Sequence, residues 1–110
     1  MALTDKTGAP ATVRKEADKF VITVEGQDVG LTAFEDQGSQ RVFFHTQVDK
    51  AFGGRGLSSV LIGAALAQTK AAELRIVPVC PTVTAFVKKH PEYADVVDRP
   101  TRQIMDRLQR

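Results

Sequence analysis

The sequence predicts a mixed α/β (α+β) domain, one sheet with helices on its faces, and three observations say so. Apolar and polar residues alternate at period two through residues 20–48, punctuated by short turns. A glycine loop, Gly53-Gly54-Arg55-Gly56, marks a change of period. Beyond it the apolar positions recur at helical spacing, and a buried strand and a second helix follow. An antiparallel meander, then loop, helix, strand and helix, is the order of a single layered sheet.

Taken in order, Met1 to Pro10 is small and polar and reads as a frayed start, with a weakly signalled strand at Thr12 to Glu16. Phe20, Ile22 and Val24 alternate with Val21, Thr23 and Glu25, and Gly26-Gln27-Asp28 is the turn that follows. Val29 to Phe34 is a second strand, closed by Asp36-Gln37-Gly38-Ser39. Arg41 to Val48 is a third, with Val42, Phe44, Thr46 and Val48 on one face and Phe43, His45 and Gln47 on the other. Apolar residues on both sides predict a strand covered on both faces and central in the sheet.

After the loop, Leu57, Val60, Leu61, Ala64, Ala67, Ala71 and Leu74 form a helical stripe rich in alanine. Arg75 to Val79 is a buried strand stopped around Cys80 by Pro78 and Pro81. Thr82 to Lys89 is a short helix turning Val83, Phe86 and Val87 inward and ending before Pro91. Pro100-Thr101 opens a last amphipathic helix using Ile104, Met105 and Leu108.

A length of 110 residues predicts one domain over 1–110, because domains typically run ~100–150 residues. The charge balance, 15 Lys and Arg against 13 Asp and Glu, leaves +2 scattered among acids as in Arg14-Lys15-Glu16. With six Phe and one Tyr there is no basic stripe interleaved with stacking aromatics, which argues against nucleic acid. The longest apolar stretch, Val60 to Ala67, is interrupted by Gly63 and too short for a span, so no membrane partner is expected. One cysteine excludes an internal disulfide, and the first ten residues carry no apolar signal core; the expectation is a cytoplasmic protein.

The glycine loop lets the backbone come close to a ligand, and the first N–H groups of the helix after it point out unpaired. Such a turn suits a pyrophosphate, with Arg55 adding a cation. Gly56 is followed by Leu57-Ser58 rather than Lys-Ser/Thr, so it is not a nucleoside triphosphate loop. Gly54-x-Gly56-x-x-Ser59 after a meander is not a dinucleotide fingerprint either. A glycine turn that binds nothing is the plain alternative.

Ala51-Phe52-Gly53-Gly54-Arg55-Gly56-Leu57-Ser58-Ser59-Val60-Leu61 between a strand and an Ala-rich helix resembles the acetyl-coenzyme A loop of the GNAT acyltransferase superfamily. Its Gln/Arg-x-x-Gly-x-Gly/Ala signature, aligned on Gly56, meets Gly53 first and Ser58 last. His45-Thr46-x-Val48, Val77-Pro78-x-Cys80 and Phe86 with His90-Pro91-Glu92-Tyr93 resemble its small single-domain YjdJ-like branch. Thr82 stands where that branch usually has an aromatic.

The resemblance, over about Val29 to Val97, implies acetyl-CoA as co-substrate, with no metal. It places the pyrophosphate on Gly53, Gly54, Arg55, Gly56, Leu57, Ser58 and Ser59, and the pantetheine arm on the backbone of Thr46, Gln47 and Val48. It also implies that the strands before the loop and before Cys80 run parallel and splay into a cleft.

Two titratable side chains belong to that cleft. Cys80 precedes a helix whose N-terminus favours thiolate, so by residue type it is either a nucleophile or a small buried hydrophobe; the resemblance implies function. His45 by position reads as a core histidine, and the resemblance implies a catalytic or polar contact near the acetyl sulfur. His90 reads as a cap; the resemblance allows Lys88 and Lys89 to meet the coenzyme's 3′-phosphate, and a solvated helix face is the plainer reading of them.

The implied activity is transfer of an acetyl group to an amine, with His45 removing a proton, a backbone N–H polarising the carbonyl, and Cys80 acting as acid or as acyl carrier. A non-catalytic acyl-CoA-binding module is the rival, and a nucleic-acid-binding domain a more distant one. Peptide amines, polyamines, aminoglycosides and small metabolites all remain open as acceptors, and oligomeric state is unread.

Overall fold

A computed structural model describes residues 3–4, 10–52 and 56–102 of the chain. Among these, six strands form one sheet in sequence order: β1 (Leu3–Thr4), β2 (Pro10–Lys15), β3 (Lys19–Val24), β4 (Gln27–Gln37), β5 (Gln40–Val48) and β6 (Arg75–Pro78). β1 to β5 pair antiparallel, and β6 joins β5 in parallel after the helix α1 (Leu57–Ala71). A parallel neighbour needs such a crossover, because no tight turn can return the chain in the same direction. α2 (Pro81–Lys89) follows, then a 3-10 turn at Pro91–Val96 and a single parallel bridge from Val97 to Ile76.

The meander and the loop-helix-strand-helix order match the expectation, with shifted boundaries. The turn between β3 and β4 is Glu25-Gly26, both at positive φ, so β4 already begins at Gln27. Two central residues at positive φ are what a tight hairpin between right-twisted strands requires. β4 also runs on to Gln37, leaving Gly38-Ser39 as the next turn. Where a frayed start is expected, Leu3 and Thr4 pair with Ala11 and Pro10; residues 1–2 and 5–9 lie outside those described. So do Ile104, Met105 and Leu108 of the expected last helix.

Both helices lie on one face of the sheet and share its core. Phe20, Phe34 and Phe43 meet there with ring centroids 5.3 to 6.3 Å apart, beneath Leu57, Leu61, Ile62, Ala65 and Leu66 of α1 and Val83 of α2. The buried stripe of α1 is therefore rotated from the alanine-based one: Ala67 and Ala71 are exposed, while Ile62, Ala65, Leu66 and Thr69 face inward. Larger side chains gain more from burial at ~25 cal/mol per Å², so they set the rotation. Val42 and Val77, with Val79, form a second, small cluster.

The strict two-face assignment of β5 fails at one place. Ala33 pairs with His45 but Phe34 with Phe43, so Phe44 is an extra residue, a β-bulge. The bulge reverses the alternation beyond it. Phe43 is fully buried in the core, and Thr46 and Val48 now share its face, while His45 and Gln47 are exposed. β5 lies between β4 and β6, as expected of an inner strand.

Candidate active site

β5 and β6 part at Phe43. Its carbonyl accepts from both Val79 N and Cys80 N at 2.9 Å, and the parallel pairing ends there. α2 begins at once: Cys80 is its N-cap residue in extended conformation and Pro81 occupies its first turn, where the missing N–H costs nothing. Downstream, among the described residues, Thr46, Gln47 and Val48 pair only with β4. Their other backbone edge is free to receive an extended ligand.

Cys80 sits in this fork. The residue is 5 % exposed, and its Sγ lies 3.4 Å from Thr46 Oγ1, to which the thiol donates. Thr46 Oγ1 is in turn 3.0 Å from Thr32 Oγ1, so a chain of hydroxyls runs from β4 through β5 to the thiol. Burial pushes the thiol pKa up, but its hydrogen bond with Thr46 and those with the backbone N–H groups of Val83 and Thr82 and with the Thr82 side chain outweigh it. The pKa falls below the ordinary thiol value. Thr84 stiffens the turn, its hydroxyl 3.0 Å from the Cys80 carbonyl oxygen.

His45 is elsewhere. It is exposed on the opposite face of β5 from Thr46, with Nε2 3.1 Å from Gln47 Oε1. It is no core histidine, and the fold does not bring it to the thiol. The reason is the bulge, beyond which neighbours 45 and 46 point to opposite faces.

Of the loop, Gly53, Gly54 and Arg55 lie outside the described residues. Gly56 is the N-cap of α1 at φ 72, a left-handed conformation that glycine adopts without strain. Among the described residues no side chain caps the helix, which leaves its first N–H groups available for an anion. Leu57 contributes backbone only, since its side chain is buried in the core; Ser58 is half-buried and Ser59 exposed. Both serines line a groove of about 200 Å³ between α1 and α2, facing Thr82, Ala85, Phe86, Lys89 and His90. Thus the free strand edge can pair with an extended ligand, and the helix start can take an anion.

Two contributors were missed by sequence reasoning. Thr32 was unremarkable within a strand, and only its position opposite Thr46 makes it matter. Thr82, at the start of α2, supplies hydrogen bonds to the thiol from its backbone N–H and its side chain. Its full burial, visible only in the fold, is what marks Thr32 as a polar group needing a partner. The other face of the sheet carries a concavity of about 650 Å³, floored by Val21 and Leu31 and bounded by Arg14, Asp28, Gln47 and Lys50.

Comparison with known proteins agrees with this geometry. A search of curated proteins finds no match to the chain. The solution structure of a GCN5-like protein from Staphylococcus aureus, solved by NMR, superposes with a TM-score of 0.63 over 83% of this chain and 91% of that one. At 20% identity that likeness is one of fold. The family model for GCN5-related N-acetyltransferases matches residues 19–96, from the start of β3 through α2 and the turn after it. The chain belongs to the GCN5-related N-acetyltransferase family.

Proposed function

We propose that the chain is a single-domain acetyltransferase that takes acetyl-CoA as donor substrate and passes the acetyl group to an amine. The observation that carries this reading is the Cys80 thiol, of lowered pKa, seated where β5 and β6 part beside a free strand edge. The uncapped start of α1 supports it, because backbone N–H groups there suit a pyrophosphate. The backbone of Thr46 to Val48 suits the amide groups of a pantetheine arm.

Cys80 as thiolate is the nucleophile. Its sulfur forms a bond to the thioester carbonyl carbon, and the bond to the coenzyme sulfur breaks, that sulfur leaving as thiolate and taking a proton. Thr46 and Thr82 hold the Cys80 thiolate before attack. The acceptor amine then displaces Cys80 from the acetyl carbon, which restores the thiolate. Because α1 and α2 fill one face of the sheet, the amine approaches from the other, where His45 and Gln47 stand. The proton that the amine sheds passes to solvent.

The test is release of coenzyme thiol from acetyl-CoA in the presence of peptide amines, polyamines, aminoglycosides and amino sugars. Release that requires one amine class and falls at least ~100-fold in Cys80→Ala, about 2.7 kcal/mol of transition-state stabilisation, supports the reading. Binding of acetyl-CoA with no release for any amine makes the chain a carrier instead.

A further inference from the structure

The hydroxyl chain behind Cys80 ends at Thr32, and that end bears on the reaction, on the premise that Cys80 takes the acetyl group. Thr32 stands in one cross-strand row with Phe20 on β3 and Thr46 on β5. It is fully buried, and Phe20 offers its hydroxyl no acceptor on that side. Among the described residues its hydroxyl has one partner, Thr46 Oγ1 at 3.0 Å. Thr46 is only half-buried, so its own hydroxyl can also meet water.

Three groups thus share two hydrogen bonds, and the proton on sulfur decides which way both run. While Cys80 is a thiol it donates to Thr46, and Thr46 donates to Thr32. The Thr32 proton is then left without an acceptor in a fully buried position, which is costly. When the sulfur gives up its proton to solvent, both bonds reverse: Thr32 donates to Thr46, and Thr46 donates to the thiolate. No hydroxyl proton is left over, and the two bonds polarise each other in the same sense. The other groups against the sulfur are Thr82 and the backbone N–H of Val83 from α2, while α1 packs apolar side chains onto the same core. None of these is charged, so no neighbouring ion overrides the hydroxyl chain.

We infer that Thr32 is a positioning residue, whose buried hydroxyl aims the Thr46 proton at the Cys80 sulfur and so readies the thiolate for attack on the thioester. It acts through Thr46 and not on the substrate. In Thr32→Val the thiol can donate to Thr46 while the Thr46 proton turns to water, so the cost that disfavours the thiol is gone.

The rate of alkylation by iodoacetamide against pH tests this, because Cys80 is the one cysteine of the chain. In Thr32→Val the inflection should move upward, with alkylation below it roughly 2- to 10-fold slower. Thr32→Ala, which also lacks the hydroxyl, should follow it, and Thr32→Ser should return to the wild-type profile; variants with a cooperative urea melt are compared. In a Thr46→Val background, Thr32→Val should move the inflection no further. The pH profile of coenzyme release from acetyl-CoA should move in the same direction. An unmoved inflection without the Thr32 hydroxyl, a Thr32→Ser profile like that of Thr32→Val, or an undiminished shift in the Thr46→Val background would each overturn the inference. Inflections that move as stated, with no coenzyme release by the wild type, would support the hydroxyl chain and remove the acetyltransferase reading instead.

Discussion

The thiol of Cys80 lies 3.4 Å from the hydroxyl of Thr46, a contact between the N-cap of α2 and a strand residue 34 positions earlier. It spans the point where β5 and β6 part. The same hydroxyl meets Thr32 on β4 at 3.0 Å, so the fork is held from both sides.

Thr46→Val removes one of the groups holding the thiol pKa down, so that pKa should rise. At a fixed pH the thiolate fraction falls, and alkylation by iodoacetamide slows. The measurement is alkylation rate against pH, whose inflection should move upward in the variant. Thr32 also loses its partner, so unfolding should ease by about 1–3 kcal/mol. An unmoved inflection would mean that Thr46 has no hold on the thiol.

Asp36 and Arg41 give stability a definite acid dependence. Arg41 is 6 % exposed in its side chain, lies over the Phe34 ring at 4.4 Å and donates to Asp36 at 2.7 and 3.0 Å. Those hydrogen bonds hold the Asp36 carboxyl below its ordinary range against the opposing effect of burial, with the charges of Arg41 and Lys15 adding to them. A carboxyl whose folded pKa is depressed stabilises above its unfolded pKa near ~3.9, and that contribution fades as pH falls through the folded value. Asp36→Asn should therefore lower stability at pH 7, where Arg41 loses its counter-charge, and lose less than wild type between pH 5 and pH 2. Urea melts across that range give the comparison.

Most of the fold was legible because its signals are local. Alternation in Phe20 to Val24, glycine at the turns, and Pro81 after Cys80 each act within a few residues. The bulge at Phe44 was not legible, since it is a mismatch between two strands: nothing in Phe43-Phe44-His45 says which residue pairs with Phe34. That single slip moved His45 away from the thiol face and put Thr46 on it. The rotation of α1 was hidden for a related reason, because alanine spacing describes a helix while its buried area decides the contact face. Cys80 and the loop were readable as candidates, yet the hydroxyl chain through Thr32 exists only once β4 and β5 are in register.

Glu73 carries a strain that can be removed. α1 closes with Leu74 N bonded to the Thr69 carbonyl at 3.1 Å and Glu73 N to the Lys70 carbonyl at 3.0 Å, a helix stop that needs a left-handed residue at position 73. Glu73 adopts φ 61 to supply it, a conformation costing about 1–2 kcal/mol for a residue with a Cβ. Glu73→Gly should raise stability by about 0.5–1 kcal/mol, visible as a rise of a few degrees in Tm by calorimetry. A fall would mean that the exposed side chain contributes more than its backbone strain costs.

The central claim is that the fork at Cys80 and the start of α1 together take acetyl-CoA. Calorimetric titration of the chain with acetyl-CoA, followed by intact mass of the same sample, tests it most directly. The expected result is micromolar binding, one added acetyl group on Cys80, and loss of binding in Gly56→Val, where a β-branched residue is forced into the left-handed conformation. No heat and no mass change for the wild-type chain would contradict it.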